Sequence, residues 1–319
     1  MGVKSVTLVA VNCADIASLN QAKALLSLDD WATGPVVDGC ATFAWRDVRM
    51  LHLPDGLLFE DHLDQRWYNS TGETVREVIF PSRHVAASGQ ASLTLHPIGV
   101  PHLLKGETGR FGGQGGLAPP PSPRLGPWWR MLLERAPRTP GLEGFDLSLE
   151  VTHHGPLLSV PSLFIEVGSC ERTWGHEGAA SLLAGIIRDG LASQEADSTW
   201  DIERHAGDLV VITLGGGHYA PRANLLAQLP GVWLGHMLAT YALPFESSDD
   251  PSRGTCAQSI DAAVVGTQSA FPGGEIACSM DKKAFKGWQR QAIKEHLSSL
   301  NIPIMTSKEI RARVEEVTE

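Results

Sequence analysis

Four short runs of this 319-residue chain are apolar almost without interruption and rich in β-branched residues: Val6 to Val11, Glu77 to Phe80, Ser162 to Gly168 and Asp208 to Leu214. A strand with one wet face alternates apolar and polar residues, so a run without alternation belongs in a sheet covered on both sides. Helical patterns lie between these runs. Asp15 stands as an N-cap before Ala22, Leu25 and Leu26; Trp128 to Glu134 reads as a short helix; Trp174 to Leu191 carries Ala179, Leu182, Leu183, Ile186 and Ile187 on one side. Buried strands alternating with helices predict an α/β fold, with a mainly parallel sheet and helices on both faces. Phe145 to Val151 alternates as a half-buried strand, and Ala284 to Leu300 and Lys308 to Val317 are expected as terminal helices. The strand at Glu77 is expected to end at Pro81, and the Gly/Pro-rich residues 106–127 to form a surface loop. The expected domains are an α/β catalytic unit over 1–245, with a Gly/Pro-rich insertion at about 100–140, and a C-terminal α/β extension over 246–319 packed on it.

Composition narrows the class. The net charge is −10, no run approaches the roughly 20 apolar residues of a membrane span, and the start lacks the pattern of a secretory signal. A cytoplasmic monomer without membrane or DNA contacts is the expectation. The five cysteines are odd in number and widely spaced, which argues against a disulfide framework or a thiolate metal cluster. Charge is unevenly spread, however. Residues 81–140 hold 7 bases against 2 acids, and residues 281–319 hold 8 against 6.

Several of the 12 histidines sit where predicted strands run into loops: Ser82-Arg83-His84, Thr94-Leu95-His96, Thr152-His153-His154-Gly155-Pro156, Gly217-His218-Tyr219 and Gly235-His236. Ligands of open α/β sheets bind beyond the carboxyl ends of strands, so His84, His153, His154 and His218 are candidates for one site. Imidazole there serves as a ligand to a metal such as zinc or as an acid/base near neutral pH. Glu166 stands mid-strand in an otherwise apolar run, where a carboxylate is costly unless paired or coordinated. Gly215-Gly216-Gly217 follows a strand, and its amides could form an anion-binding nest near Tyr219 and Arg222. No His-Glu-x-x-His helix is present.

Taken in order, Ser82-Arg-His84, Thr152-His-His-Gly-Pro156, Pro161 to Ser169 and Gly215-Gly-Gly-His-Tyr-Ala-Pro221 resemble the archaeal and plant type of D-aminoacyl-tRNA deacylase. The resemblance runs over about residues 5–245. Thr213 departs from it, standing where a glycine commonly precedes the triple glycine, and the Gly/Pro segment with Pro127-Trp-Trp-Arg130 is similar to the plant branch. It implies a three-layer α/β/α fold like those of peptidyl-tRNA hydrolase and nucleoside phosphorylases. It also implies zinc, and hydrolysis of the ester joining a D-amino acid to tRNA, aldehyde-modified forms included.

Ester hydrolysis needs a positioned water, a base and oxyanion stabilisation. His153, His154, His218 and Glu166 are the residues expected to hold or activate that water, as metal ligands or base. Ser82, Arg83, His84, His96, Thr152, Gly215, Gly216, Gly217, Tyr219 and Arg222 are expected around the substrate. Ser82 and Thr152 are alternative acyl acceptors, although neither sits in a Gly-x-Ser-x-Gly elbow. The tRNA is expected to meet Arg124, Arg130, Arg135 and Arg138, with Trp128 and Trp129 stacking on a terminal base, and Lys282, Lys286 and Arg290 on one helix face extended by Lys294. A hydrolase without chirality preference and a non-catalytic tRNA-binding protein are the alternatives.

Overall fold

The computed structural model describes residues 4–193, 198–247 and 254–318. Met1 to Val3, where a leader would begin, lie outside them. Eight strands form one mixed sheet: β1 (Ser5–Asn12), β2 (Ala32–Thr33), β3 (Thr42–Trp45), β4 (Val48–Leu53), β5 (Thr74–Arg83), β6 (Ser92–His96), β7 (Asp146–Leu149) and β8 (Ser162–Gly168). Their order is β2-β3-β4-β1-β5-β8-β6-β7, with β4, β1, β5 and β8 mutually parallel and β6 antiparallel to β8. A second, fully parallel sheet runs β10 (Trp233–Leu238), β9 (Leu209–Leu214), β11 (Glu275–Met280). The helices are α1 (Ile16–Leu28), α2 (Leu63–Thr71), α3 (Leu125–Arg135), α4 (Glu171–Trp174), α5 (Glu177–Ala192), α6 (Ile202–His205), α7 (Pro221–Leu226), α8 (Cys256–Ala270), α9 (Gly287–Ser299) and α10 (Ser307–Thr318). Among the described residues no helix is long and apolar enough to cross a membrane.

The absence of alternation has the expected cause. On β1, Val9 and Val11 enter the apolar layer under α1, α3 and α5, whereas Val6, Leu8 and Ala10 enter the layer under α2. Ile79 of β5 and Leu163, Ile165 and Val167 of β8 share the first layer; Val78, Phe80 and Phe164 share the second. Period-two geometry sends successive side chains to opposite faces, and here both faces are covered. The second face then changes character. Continuing along it, Ser82, Glu166, Thr94 and His96 replace the apolar residues, and Ser82, Glu166 and Thr94 form a single rung across β5, β8 and β6. A polar site is thereby set into one face of an apolar sheet.

Some expectations are corrected. β5 runs through Pro81 to Arg83, because Pro81 lies beyond the last rung with β1 and its missing N–H breaks no bond there. The Gly/Pro segment is at the surface at its start, where Gly106 to Thr108, Arg110 and Phe111 are exposed, but its Pro-rich end is not. Pro119 to Pro123 are buried, and the Pro120 carbonyl and Ser122 amide pair with the Ser162 amide and carbonyl at the start of β8. Gly112, at φ +75°, lies against the Leu58 carbonyl so closely that a Cβ there would sit 1.8 Å from its oxygen, and Gly155 is wedged beside the same oxygen. The glycines thus let this segment back directly onto the loop that carries His153 and His154. The division at residue 245 runs through the second sheet, since β11 pairs along its whole length with β9, and Ala277 and Ile310 enter the same apolar layer as β1.

The basic stretch after the loop starts in the core and reaches the surface only at its end, with Arg124 buried, Arg130 and Arg135 half-buried and Arg138 exposed. Trp128 and Trp129 are 0% and 1% exposed, so they cannot stack on a base. Arg124 is buried, with Nε 2.7 Å from Glu77 and Nη1 2.6 Å from the Gly190 carbonyl. Arg130 gives Nη1 to the Ala227 carbonyl at 3.1 Å, and Arg135 and Arg138 pair with Asp189 and Glu134. Removing one partner of a buried ion pair strands the other charge. Arg124→Leu should therefore lower the unfolding free energy by about 3–5 kcal/mol, and Arg124→Leu with Glu77→Leu should recover most of it; denaturant titration of the two variants measures both.

Candidate functional site

Two buried carboxylates organise the site. Glu166, on β8, accepts hydrogen bonds from the Ser82 hydroxyl (2.6 Å) and the Thr94 hydroxyl (3.3 Å), the neighbours its register dictates. Glu150, just past β7, is fully buried and accepts from Nε2 of His218 at 2.7 Å, with Nδ1 of His84 at 3.0 Å from its other oxygen and Nε2 of His153 at 3.7 Å. His84 also stands 3.6 Å from Glu166, and so joins the two carboxylates.

Three imidazoles face inward in a fixed tautomer. Nδ1 of His96 donates to the Pro97 carbonyl at 3.1 Å, that of His153 to the Val151 carbonyl at 2.8 Å, and that of His154 to the Gly155 carbonyl at 2.6 Å. When neutral, each ring presents Nε2 as a lone pair, the arrangement by which backbone carbonyls orient metal-binding histidines; that of His96 lies 3.6 Å from Glu166. His96 Nε2 is buried without a hydrogen-bond partner, an orphan in a region where such atoms are costly. Ligand atoms of His96, His153 and His154 lie within 4.8 Å of one another, as do those of His84, Glu150 and His218, and of His96, Glu150 and Glu166. These groups could hold a metal.

The electrostatics follow from burial and proximity. Burial disfavours a charged His84, yet Glu150 and Glu166 outweigh it and hold its pKa at about 11. Burial likewise opposes charge on His96, and Glu166 overrides it upward. Glu166 is pushed up by burial but drawn down to about 2 by His84 and His96; Glu150 is drawn well below the carboxylate range by His218 and His84. Burial, reinforced by His96, depresses His153 well below the usual range and His154 to about 4. Neutral rings with inward lone pairs are ligands in waiting.

The cluster brings together His84, His96, His153, His154 and His218, and His236 lies outside it against Thr152. His153 and His154 meet His96 (ring centroids 4.2 and 4.9 Å away), and His153 also meets the ring of His218 (4.7 Å), which is bound to Glu150. His218 is the exposed member, about one third open, with Nδ1 3.4 Å from the Tyr241 hydroxyl; the Tyr219 hydroxyl is 3.2 Å from His84 Nε2. Tyr219 and Tyr241, both exposed, flank the opening.

Glu150 was missed. Reading Phe145, Leu147, Leu149 and Val151 as the buried side assigns Ser148 and Glu150 to solvent, but that side of β7 is the one the histidines cover. The available signal was the parity that places Glu150 on the polar face, directly before Val-Thr-His-His.

Other expected residues lie elsewhere. The Thr152 hydroxyl sits 2.9 Å from buried His236 and accepts from the Met237 amide, so it ties the histidine loop to β10. Gly215 and Gly216 give their amides to the Leu238 carbonyl and the Thr240 hydroxyl, which leaves no nest from those two. Their loop aims His218 instead, whose carbonyl accepts from the Val151 amide. Arg83 alternates away from Ser82 and His84, its guanidinium 4.8 Å over the Trp174 ring. Arg222 pairs with Asp281 at 3.8 Å, apart from the histidines. Lys282 belongs to a short turn, Lys286 caps α9, and Arg290 donates to the Lys282 and Phe285 carbonyls, so the three share no helix face. Thr152→Val, which keeps the shape and removes the hydroxyl, should cost about 1–3 kcal/mol in a denaturant titration because it strands buried partners.

Residues 71–305, which span the whole cluster, match the family described as D-aminoacyl-tRNA deacylase. The D-aminoacyl-tRNA deacylase of Arabidopsis thaliana is 40% identical over 312 residues, covering 94% of this chain and 98% of that one. That of Methanothrix thermoacetophila is 31% identical, covering 97% and 99%. A crystal structure of a conserved protein of unknown function shares the fold, with a TM-score of 0.78 at 24% identity over 98% of each chain. With its histidines and carboxylates inside the matched region and its relatives aligned over nearly their full length, the chain belongs to the D-aminoacyl-tRNA deacylase family.

Proposed function

We propose that this chain hydrolyses the ester between a D-amino acid and the terminal ribose of tRNA and releases both. The observation that carries the reading is the His218–Glu150 pair. His218 gives Nε2–H to a fully buried carboxylate, which leaves Nδ1 as a lone pair on the open side of the ring, beside the inward-facing ligand set. A base oriented by a buried carboxylate is what an aminoacyl ester requires, since its acyl group is already activated.

The residues divide the work. His218 Nδ1 takes a proton from the attacking water, and the C–O bond to ribose breaks as that proton passes to the ribose oxygen. Glu150 fixes the ring tautomer and offsets the imidazolium that forms, as the carboxylate of a triad does. The Tyr219 hydroxyl accepts from His84 Nε2, so its own proton is available to the developing oxyanion. Zinc suits the imidazole set of His96, His153 and His154, with Glu166 adjacent, and when bound it would lower the pKa of a water and polarise the ester carbonyl. Ser82 keeps its hydroxyl on Glu166, as support rather than acyl acceptor. Zinc as the metal, the cytoplasm as the compartment and a monomer as the working form are parts of this reading, checked by metal analysis, fractionation and light scattering.

Hydrolysis of D-tyrosyl-tRNA and L-tyrosyl-tRNA, each before and after chelation and zinc return, tests the proposal. Cleavage of the D-ester alone, lost on chelation and restored by zinc, is the expected result. Equal cleavage of both esters would favour a hydrolase without chirality preference, and binding without cleavage a tRNA-binding protein. Glu150→Gln should lower kcat by about 10²–10⁴-fold, the range of a positioned acid/base. His153→Ala should reduce the zinc retained after dialysis.

A further inference from the structure

Beside the loop that carries His218 lies a second concavity, a groove of about 690 Å³ at the carboxyl ends of β9 and β11. Four cationic side chains line it, Arg222, Lys282, Lys283 and Lys294, against the carboxylates of Asp281 and Glu309. Both acids are engaged. Asp281 accepts from the Lys283 amide at 3.0 Å and faces Arg222 at 3.8 Å; Glu309 accepts from the amide and hydroxyl of Thr306, each at 2.7 Å. Among the described residues no carboxylate lies within 4.0 Å of the Lys282, Lys283 or Lys294 ammonium groups, and all three residues are exposed. A net positive groove on a chain of net charge −10 is a local departure that demands a partner.

Its position says which partner. Arg222 follows His218 by four residues, so their backbones lie within about 14 Å even at full extension, which puts the groove within reach of a nucleic-acid strand whose 3′ end sits at His218. Ammonium groups on flexible stems contact phosphates as point charges and carry no sequence information. Arg290 is a positioning residue here, since its hydrogen bonds to the Lys282 and Phe285 carbonyls hold the turn that presents Lys282 and Lys283.

We propose that this groove seats phosphates of the tRNA acceptor end and so places the terminal ester at His218, an inference that rests on the deacylase reading for the identity of the nucleic acid. The test compares wild type with Lys282→Ala/Lys283→Ala/Lys294→Ala and with the corresponding triple Lys→Arg variant. Affinity for uncharged tRNA is measured over a salt series, and kcat/KM on D-tyrosyl-tRNA is divided by kcat/KM on D-tyrosyl-adenosine, an ester without phosphates. The alanine variant should lower the slope of log K against log salt by about 3, roughly one per lost phosphate contact. Its kcat/KM ratio should fall at least about tenfold, since phosphate contacts supply most of the affinity, and the arginine variant should keep both. An unchanged salt slope in the alanine variant, or an equal loss on the two esters, overturns the proposal. The slope is read on uncharged tRNA, so a fall in slope supports the groove even if wild type cleaves neither ester, and that result would sink the hydrolase reading alone.

Discussion

A buried carboxylate cannot remain charged unless its surroundings answer it, and Glu150 and Glu166 set that requirement on everything around them. Glu166 receives two hydroxyls and lies within ion-pair distance of two imidazoles, and Glu150 lies against His84 and His218, so both stay ionised in an apolar sheet. This explains why histidine rather than lysine or arginine surrounds them. An imidazole answers a carboxylate when protonated and offers a lone pair when neutral, and the surroundings pull both ways: the carboxylates draw His84 and His96 toward the charged form, and burial draws His153 and His154 toward the neutral one.

The fold meets this requirement by joining its two sheets at the site. Glu150 arrives at the end of β7, where its amide donates to Leu95 of β6, and the next residue, Val151, donates to the His218 carbonyl beyond β9. One further on, Thr152 is bound to Met237 of β10. Three successive residues thus fasten the histidine loop to β6, the glycine loop and β10, while Gly112 and Gly155 allow the Gly/Pro segment to back it. A site held on rigid strands from several directions keeps ligand and base geometry that a mobile loop would lose.

Charge is distributed to match. The arginines near the Pro-rich segment are engaged within the chain, Arg124 on Glu77 in the core, Arg130 on a backbone carbonyl, Arg135 on half-buried Asp189 and Arg138 on Glu134 at the surface. The lysines beyond β11 remain at the surface. A basic segment in a sequence therefore says little about nucleic acid until burial separates the arginines that pair from the lysines that do not.

The sequence by itself determined the α/β class, because unbroken apolar strands require cover on both faces, and it determined four histidine segments and Glu166, because those residue types at strand ends are costly without partners. Tertiary structure decided the rest. How the histidines meet, with His153 packed against His96, His154 and His218, depends on the antiparallel register of β6 and β8 and on the loop after β9, which one-dimensional spacing does not contain. Glu150 escaped detection because period two names two faces without saying which is covered. The Pro-rich segment and the two tryptophans were read as surface for a related reason: burial is a property of what packs against a residue, and only the folded chain supplies that.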